Sequence, residues 1–507
     1  MANHANHNDP GVNNQPDKIF SKISQIGYGE NSRQTFRLVC SNLNEMFYPP
    51  LMKIIDTLLS KTLRTIHVPK DLTPLITYDP ADEADPALAG MTRQDVIAIW
   101  ESVENLYRTG VYPGLSFCMR RHGQKILHRA IGHSHGGGPP GNLTDGPNDE
   151  KILMTPDTPV CQYSASKAIT AMMMHLLAEQ GGVSLNDPVV NYIPEFAVLG
   201  KYKITIDHIL SHHGGVPAPP PDADPEILFD HDAFVKLICG IKPKARSKEG
   251  GHMAYHAITG GTILAEIIKR VTGKDIRKML AEAVQRPLGL RYFNFGVPEA
   301  DIPKVAKNYD TGPPLVFPVS YLAKRALSAS WGEVVRISNE PRFMRALIPA
   351  ANLVATADEM CQFFQVLLDG GQWNGKRIFK PETVARAVAP VAKMWFDGTM
   401  VVPMRYSSGL MLGADPAGLW GPYSENAFGH VGFMNILCWA DPSRDISVSL
   451  QTTGKTLLGP HLAAIVRFLF TVGRRCRMIN PADEVPMSLT TFETLFHKML
   501  RRMILGI

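Results

Sequence analysis

Hydrophobic and polar residues alternate in two pairs of short segments near the two ends of the chain, and this pattern predicts strands. Residues 115–121 and 125–132, in "GLSFCMRRHGQKILHRAIG", flank a His-Gly pair that is typical of a hairpin turn. Residues 432–440 and 446–452 repeat the pattern around "DPSRD". The chain therefore contains two predicted hairpins, one in each arm.

Between the hairpins, apolar residues recur at helical spacing, as in "SASKAITAMMMHLLAEQ" and "ATADEMCQFFQVLLDGG". In the second segment Thr356 is the predicted N-cap of a helix that ends at Gly370 and Gly371. Strands at both ends with helices between them predict an α+β fold, an α/β sandwich. The N- and C-terminal strands form one antiparallel sheet flanked by helices, and a mainly helical subdomain is inserted between them.

The same pattern divides the chain into four parts. Residues 1–33 are polar and predict a disordered tail. Residues 34–90 form an N-terminal extension, with an amphipathic helix at 51–63 followed by a Pro- and Asp-rich linker, so compact order is expected to begin near Met91. Residues 91–470 are the main domain, and residues 471–507 are a basic amphipathic C-terminal extension.

Composition narrows the function classes. Of the 507 residues, 45% are hydrophobic and 20% charged, which is typical of a globular protein with a large core. The formal net charge of +5 is small for this length and lies mostly in the C-terminal region, so no nucleic-acid partner is expected. Seven scattered cysteines without a C-x-x-C pair predict neither a disulfide framework nor a zinc site. The polar N-terminus lacks the features of a secretory signal, and we expect a cytoplasmic protein.

The candidate chemistry begins at Ser164 and Lys167 in "CQYSASKAITAMMMHLLAEQGG". If Ser164 opens the helix, Lys167 lies one turn later on the same face, so that its amine reaches the hydroxyl. Burial in an apolar helix lowers a lysine pKa, which would make Lys167 a usable base and Ser164 a nucleophile. A capping serine beside a lysine that extends to solvent is the alternative.

Two further segments bear on the same site. Tyr255 precedes a predicted helix, and a nearby lysine ammonium would lower the pKa of its phenol and let it shuttle a proton; a buried structural tyrosine is the alternative. "FGHVGFMNILCWADP" places His430 and Gly432 at the start of a predicted strand, where glycine lets a substrate approach closely. The backbone N–H groups of Ser164 and Phe433 are the candidate oxyanion hole.

Ser164-x-x-Lys167, Tyr255-x-Ala257 and His430-x-Gly432 resemble, in order and spacing, the three boxes of the serine β-lactamase and penicillin-binding-protein superfamily. Phrases such as "VSLNDPVVNYIPEF", "ITIDHILSHHGGVP" and "WNGKRIFKPETV" are similar to its class C-related esterase branch. The resemblance covers about residues 95–470. It implies a β-lactamase/transpeptidase-like fold and makes residues 91–470 a serine hydrolase domain.

Departures from the family pattern favour ester substrates. The second box often ends in Asn, whose amide helps hold the substrate, but here it ends in Ala257. The third box often begins with Lys, whose charge binds a carboxylate, but here it begins with His430, which is largely neutral at an unperturbed pKa of about 6.5. The sequence therefore predicts a carboxylesterase for small or apolar-acyl esters that acts through an acyl-enzyme on Ser164. A β-lactamase, a D-amino-acid peptidase, a transacylase and an inactive binding or assembly module on the same fold are the alternatives.

No metal or cofactor is expected. The best metal candidates are His212, His213, His252 and His256, and no carboxylate accompanies them in a H-E-x-x-H arrangement. The expected partner is a small ester or amide. The C-terminal segment "TTFETLFHKMLRRMILGI" has one apolar and one basic face, and it predicts a helix that docks on the body, on a second subunit or on a membrane surface.

Overall fold

The computed structural model describes residues 63–146, 148–220, 223–243, 253–392, 394–400, 402–484, 486, 488–492 and 494. Its main sheet has eight strands with antiparallel pairing throughout. In chain order they are Ile76–Tyr78 (β1), Gly114–Arg121 (β2), Gln124–His135 (β3), Ile152–Leu153 (β4), Met411–Leu412 (β5), Phe428–Gly432 (β6), Ile436–Asp441 (β7) and Ile446–Thr452 (β8). The spatial order is β1-β3-β2-β8-β7-β6-β5, and β4 pairs with β3.

Along the chain, most of the α-helices lie between the N-terminal strands β1–β4 and the C-terminal strands β5–β8. They are Arg93–Tyr107 (α1), Ser166–Glu179 (α2), Ile206–Leu210 (α3), His231–Gly240 (α4), Thr259–Thr272 (α5), Ile276–Leu280 (α6), Arg286–Leu288 (α7), Val319–Leu327 (α8), Trp331–Ser338 (α9), Pro341–Arg345 (α10), Ala357–Leu368 (α11), Pro381–Val388 (α12) and His461–Arg475 (α13).

Short strands complete the framework. Val160–Cys161, Leu353–Ala355 and Asn294–Phe295 form a small sheet, and Tyr309–Asp310 pairs in parallel with Gly454–Lys455. The two-stranded antiparallel pairs are Gln372–Trp373 with Lys376–Arg377, Trp395–Asp397 with Val402–Met404, and Ala417–Gly418 with Gly421–Pro422.

The predicted fold class is confirmed, because the two arms of the chain meet at the centre of the main sheet. β2 lies between its hairpin partner β3 and the C-terminal strand β8, with Phe117 opposite Leu450. Helix α11 packs against β2, β7 and β8, while α1 and α13 pack against each other. Phe117 of β2 contacts Phe468 of α13 with ring centroids 5.7 Å apart, so the sheet lies between helical layers.

The predicted boundaries of α11 are confirmed to within a residue or two. The Thr356 hydroxyl accepts the N–H of Glu359, and the Glu359 carboxylate accepts the N–H of Thr356, a reciprocal capping box. The helix ends before Gly370 and Gly371, which both have left-handed φ.

The predicted strand over residues 432–440 is confirmed from Ile436 onward, but its first part is wrong. β6 ends at Gly432 and β7 begins at Ile436, so that His430 and Gly432 lie at the end of a strand rather than at its start. Phe433 and Met434 have φ values of 45° and 65°, which an extended strand does not allow. The chain therefore makes a tight turn at this point.

The predicted linker before Met91 is also wrong, because part of it belongs to the sheet. β1 pairs with β3, with Thr77 opposite Ala130. The acidic residues that suggested a linker form ion pairs with β3: Asp82 lies 2.7 Å from Lys125 and Glu83 lies 2.6 Å from Arg129. The described part of the N-terminal extension therefore supplies an edge strand of the sheet.

The C-terminal extension is only partly described. α13 runs across the predicted boundary at residue 470, and Phe492 is buried with its ring 5.6 Å from that of Phe470. The rest of the predicted C-terminal stripe, and the predicted helix at 51–63, lie outside the described residues. Among the residues that are described, no helix is long and apolar enough to cross a bilayer.

Candidate active site

Ser164 lies in a 3-10 turn, Tyr163–Ala165, directly before α2. The backbone of Tyr163, the first residue of this turn, has a left-handed φ of 46°. The Tyr163 hydroxyl lies 2.6 Å from Ser338 Oγ, and its ring stacks on Phe433 at 4.9 Å. α2 begins without a side-chain cap, so the alternative of a capping serine is wrong.

The predicted reach of Lys167 to Ser164 is confirmed. Lys167 Nζ lies 3.0 Å from Ser164 Oγ and donates to the carbonyl oxygen of Ala350 at 2.9 Å. The Lys167 side chain is buried, and burial lowers its pKa well below the usual value for lysine. A neutral amine at this distance can accept the hydroxyl proton of Ser164.

Tyr255 is the third group that converges on Ser164. Its hydroxyl hydrogen-bonds to Ser164, and Lys167 Nζ lies 4.8 Å from the centroid of its ring. The expectation of a lowered phenol pKa is wrong: burial, reinforced by the negative charge of Asp397, raises the pKa of Tyr255. Tyr255 is therefore a protonated phenol that can give a proton rather than take one.

His430 reaches the same site from β6. It is buried, its Nδ1 lies 2.8 Å from the Val431 carbonyl oxygen, and its ring centroid is 6.2 Å from that of Tyr255. Burial and the nearby Lys167 lower the pKa of His430 to about 3. The imidazole is neutral at ordinary pH and supplies no fixed positive charge for a substrate carboxylate.

Gly432 brings the end of β6 against the nucleophile turn. A Cβ atom on Gly432 would lie 2.2 Å from the carbonyl oxygen of Gln162, so no larger side chain fits there. Phe433, the next residue, stacks between Tyr163 at 4.9 Å and Trp331 at 4.1 Å. This contact places the backbone segments of both candidate oxyanion residues side by side.

Three side chains, Asp397, His212 and Tyr406, surround Tyr255 in a way that the sequence analysis did not predict. Asp397 accepts the Tyr255 N–H at 3.1 Å, across 142 positions of sequence. His212 packs on the rings of Tyr255 and Tyr406, at 4.7 and 4.9 Å. These contacts have no local sequence signal, because each joins residues from distant segments.

The histidines proposed as metal candidates do not form a metal site among the described residues. His212 is buried between aromatic rings, His213 packs on Trp395, and His252 lies outside the described residues. Another group, His231, Asp232 and Glu266, brings its polar atoms within 4.8 Å of one another. Its carboxylates are already paired: Lys269 lies 2.9 Å from Asp232 and Arg270 lies 2.6 Å from Glu266.

Known proteins are similar to this chain in sequence. A family model described as beta-lactamase matches residues 100–467. The Mycobacterium tuberculosis protein named esterase/beta-lactamase LipL is 28% identical over 306 residues, which cover 57% of this chain and 67% of its own length.

Two solved structures have a similar fold. A penicillin-binding-protein homologue from Caulobacter crescentus is 25% identical with a TM-score of 0.65, covering 76% of this chain and 98% of its own. A family VIII carboxylesterase is 23% identical with a TM-score of 0.64, covering 76% of this chain and 99% of its own, and it shows the fold alone.

Proposed function

Because the match over residues 100–467 shows that the chain belongs to the beta-lactamase family of serine hydrolases, we propose that it is a carboxylesterase that acts through an acyl-enzyme on Ser164. The carrying observation is the 3.0 Å contact between Ser164 Oγ and the buried amine of Lys167. A nucleophile held against a base of lowered pKa is the arrangement that acyl transfer requires.

Acylation begins when Lys167 takes the hydroxyl proton as Ser164 Oγ bonds to the ester carbonyl carbon. The negative oxygen of the tetrahedral intermediate is stabilised by the N–H groups of Ser164 and Phe433. When the carbon–oxygen ester bond breaks, Tyr255 gives its proton to the leaving alcohol and regains one from Lys167. Water then attacks the acyl-enzyme and the proton transfers run in reverse, releasing the acid.

The neutral His430 and the short Ala257 favour esters over β-lactams or D-amino-acid peptides. A β-lactam carboxylate needs a fixed cation, and burial keeps the imidazole of His430 uncharged. Ala257 carries no amide to hold an acylamino group. Transfer of the acyl group to a second alcohol uses the same residues, and a transacylase remains the second candidate function.

Ser164→Ala tests the proposal directly. We expect loss of labelling by a fluorophosphonate probe and loss of p-nitrophenyl acetate turnover, with an unchanged melting temperature because Ser164 does not cap α2. Ser166→Ala is the matched control, since Ser166 Oγ accepts the Leu353 N–H at 3.0 Å and faces the core. Turnover by Ser164→Ala near the wild-type rate would refute the assignment.

A further inference from the structure

A short hairpin lies beside the active site and is not used in the mechanism above. Its strands are Trp395–Asp397 and Val402–Met404, with Trp395 opposite Met404. It presents two large apolar side chains to solvent, Trp395 at 41% and Phe396 at 56% exposure. Exposed aromatic residues next to a catalytic site are candidates for contact with substrate.

Asp397 links this hairpin to Tyr255 through hydrogen bonds. Its side chain is fully buried, and Oδ1 accepts the N–H groups of Tyr255 at 3.1 Å, Thr399 at 2.8 Å and Met400 at 2.9 Å. Oδ2 accepts the hydroxyl of Tyr406 at 3.2 Å. Four donors on one carboxylate fix the position of the Tyr255 backbone relative to the hairpin.

Successive side chains of a strand point to opposite faces, and this shows which hairpin residues face Tyr255. Trp395 and Asp397 point to the same face, and Phe396 points to the opposite face. Trp395 packs on His213 with ring centroids 5.6 Å apart, and the adjacent His212 packs on Tyr255 at 4.7 Å. Trp395 is therefore on the side of Tyr255, whereas Phe396 faces away.

We propose that this hairpin is the subsite for an apolar leaving alcohol, with Trp395 as the residue that contacts the alcohol group and Asp397 as the positioning residue for Tyr255. The assignment rests on the proposed esterase function, in which Tyr255 protonates the departing oxygen. Groups beside Tyr255 then face the alcohol portion of the ester, and the acyl portion lies on the other side of the scissile bond. An aryl or long alkyl alcohol is the class of group that an indole face binds best.

The alcohol subsite is tested with two ester series. Trp395→Ala is expected to lower the ratio of kcat/KM for 2-naphthyl acetate over methyl acetate by about tenfold, the loss of one aromatic contact. The ratio for p-nitrophenyl butyrate over p-nitrophenyl acetate, which varies only the acyl group, is expected to stay unchanged. Phe396→Ala, on the outward face, is the matched control. An equal effect of both variants, or an effect on the acyl series, would overturn the subsite.

The positioning role of Asp397 is tested by kcat per fluorophosphonate-labelled serine, which excludes unfolded protein from the measurement. Asp397→Ala is expected to lower this kcat about 10²-fold, the cost of misplacing a catalytic group by about 1 Å. Asp397→Asn keeps an oxygen acceptor for the three N–H groups and should restore most of the rate. An unchanged kcat per labelled site in Asp397→Ala would make the residue purely structural and overturn the role. Failure of the proposed function is distinguishable, because Ser164→Ala would then retain turnover.

Discussion

Lys167 Nζ lies over the face of the Tyr255 ring, 4.8 Å from its centroid, while the hydroxyl of the same tyrosine bonds to Ser164. The amine and the phenol thus approach the serine from different directions. Burial favours the uncharged form of each: it lowers the pKa of Lys167 and raises that of Tyr255. Burial therefore shifts the lysine toward a base and keeps the phenol an acid around one hydroxyl.

Replacement of Lys167 tests the base. Lys167→Ala is expected to lower kcat about 10²–10⁴-fold, the usual contribution of a general base. Lys201→Ala is the control: Lys201 is also buried, but its amine donates to the carbonyls of Cys239 and Ile241 at 2.7 Å. Wild-type turnover by folded Lys167→Ala would contradict the role.

The pH profile tests the same base without mutation. Only the deprotonated amine accepts a proton, so kcat/KM is expected to fall as the pH drops through the lowered pKa of Lys167. The acid limb of the ester profile should therefore lie well below the usual pKa of lysine. A limb at the usual lysine pKa would show that Lys167 is not the group that titrates.

Tyr255→Phe separates the hydroxyl from the ring. The ring packing on His212 at 4.7 Å is retained, so the melting temperature should change little. The loss of the proton donor should lower kcat about 10²–10⁴-fold. Tyr107→Phe, a buried tyrosine of α1, is the comparison for general loss of a phenol. Equal turnover by the two variants would remove Tyr255 from the mechanism.

The preference for esters over β-lactams follows from the lack of a positive charge on His430. Because burial lowers the pKa of this imidazole to about 3, the wild-type protein should hydrolyse p-nitrophenyl acetate far better than nitrocefin. The preference should not change between about pH 5 and 8, where an exposed histidine would titrate. Efficient nitrocefin hydrolysis, or a preference that reverses as the pH falls, would support the β-lactamase alternative.

Lys455, which takes no part in the proposed mechanism, should make the stability of the protein depend on pH. It is fully buried, with Nζ 5.0 Å from the centroid of the Tyr163 ring, and burial lowers its pKa from 10.5 to about 7. Between these two values the unfolded chain binds more protons than the folded chain, so this group makes the free energy of unfolding rise with pH. Lys455→Met should flatten that rise in melting temperature measured from about pH 7 to 10. Solvent-exposed Lys324→Met is the control, and equal slopes in both variants would exclude the effect.

Local patterns along the chain were sufficient for much of the fold. Alternation predicted the β2–β3 hairpin, and an N-cap threonine with a following Gly pair predicted α11, because these signals act within a few residues. The three-residue spacing of Ser164 and Lys167 likewise predicted their contact, since residues one turn apart share a helix face.

Only the tertiary structure decided the pKa values of the site residues and the packing contacts that hold these residues in place. The pKa of Tyr255 depends on how deeply the folded chain buries it and on Asp397, which arrives from 142 positions away. The turn at Phe433 replaces the first part of a predicted strand because its ring stacks between Tyr163 and Trp331, which lie in other segments. Burial and through-space contacts are properties of the packed chain, and no local pattern of residues specifies them.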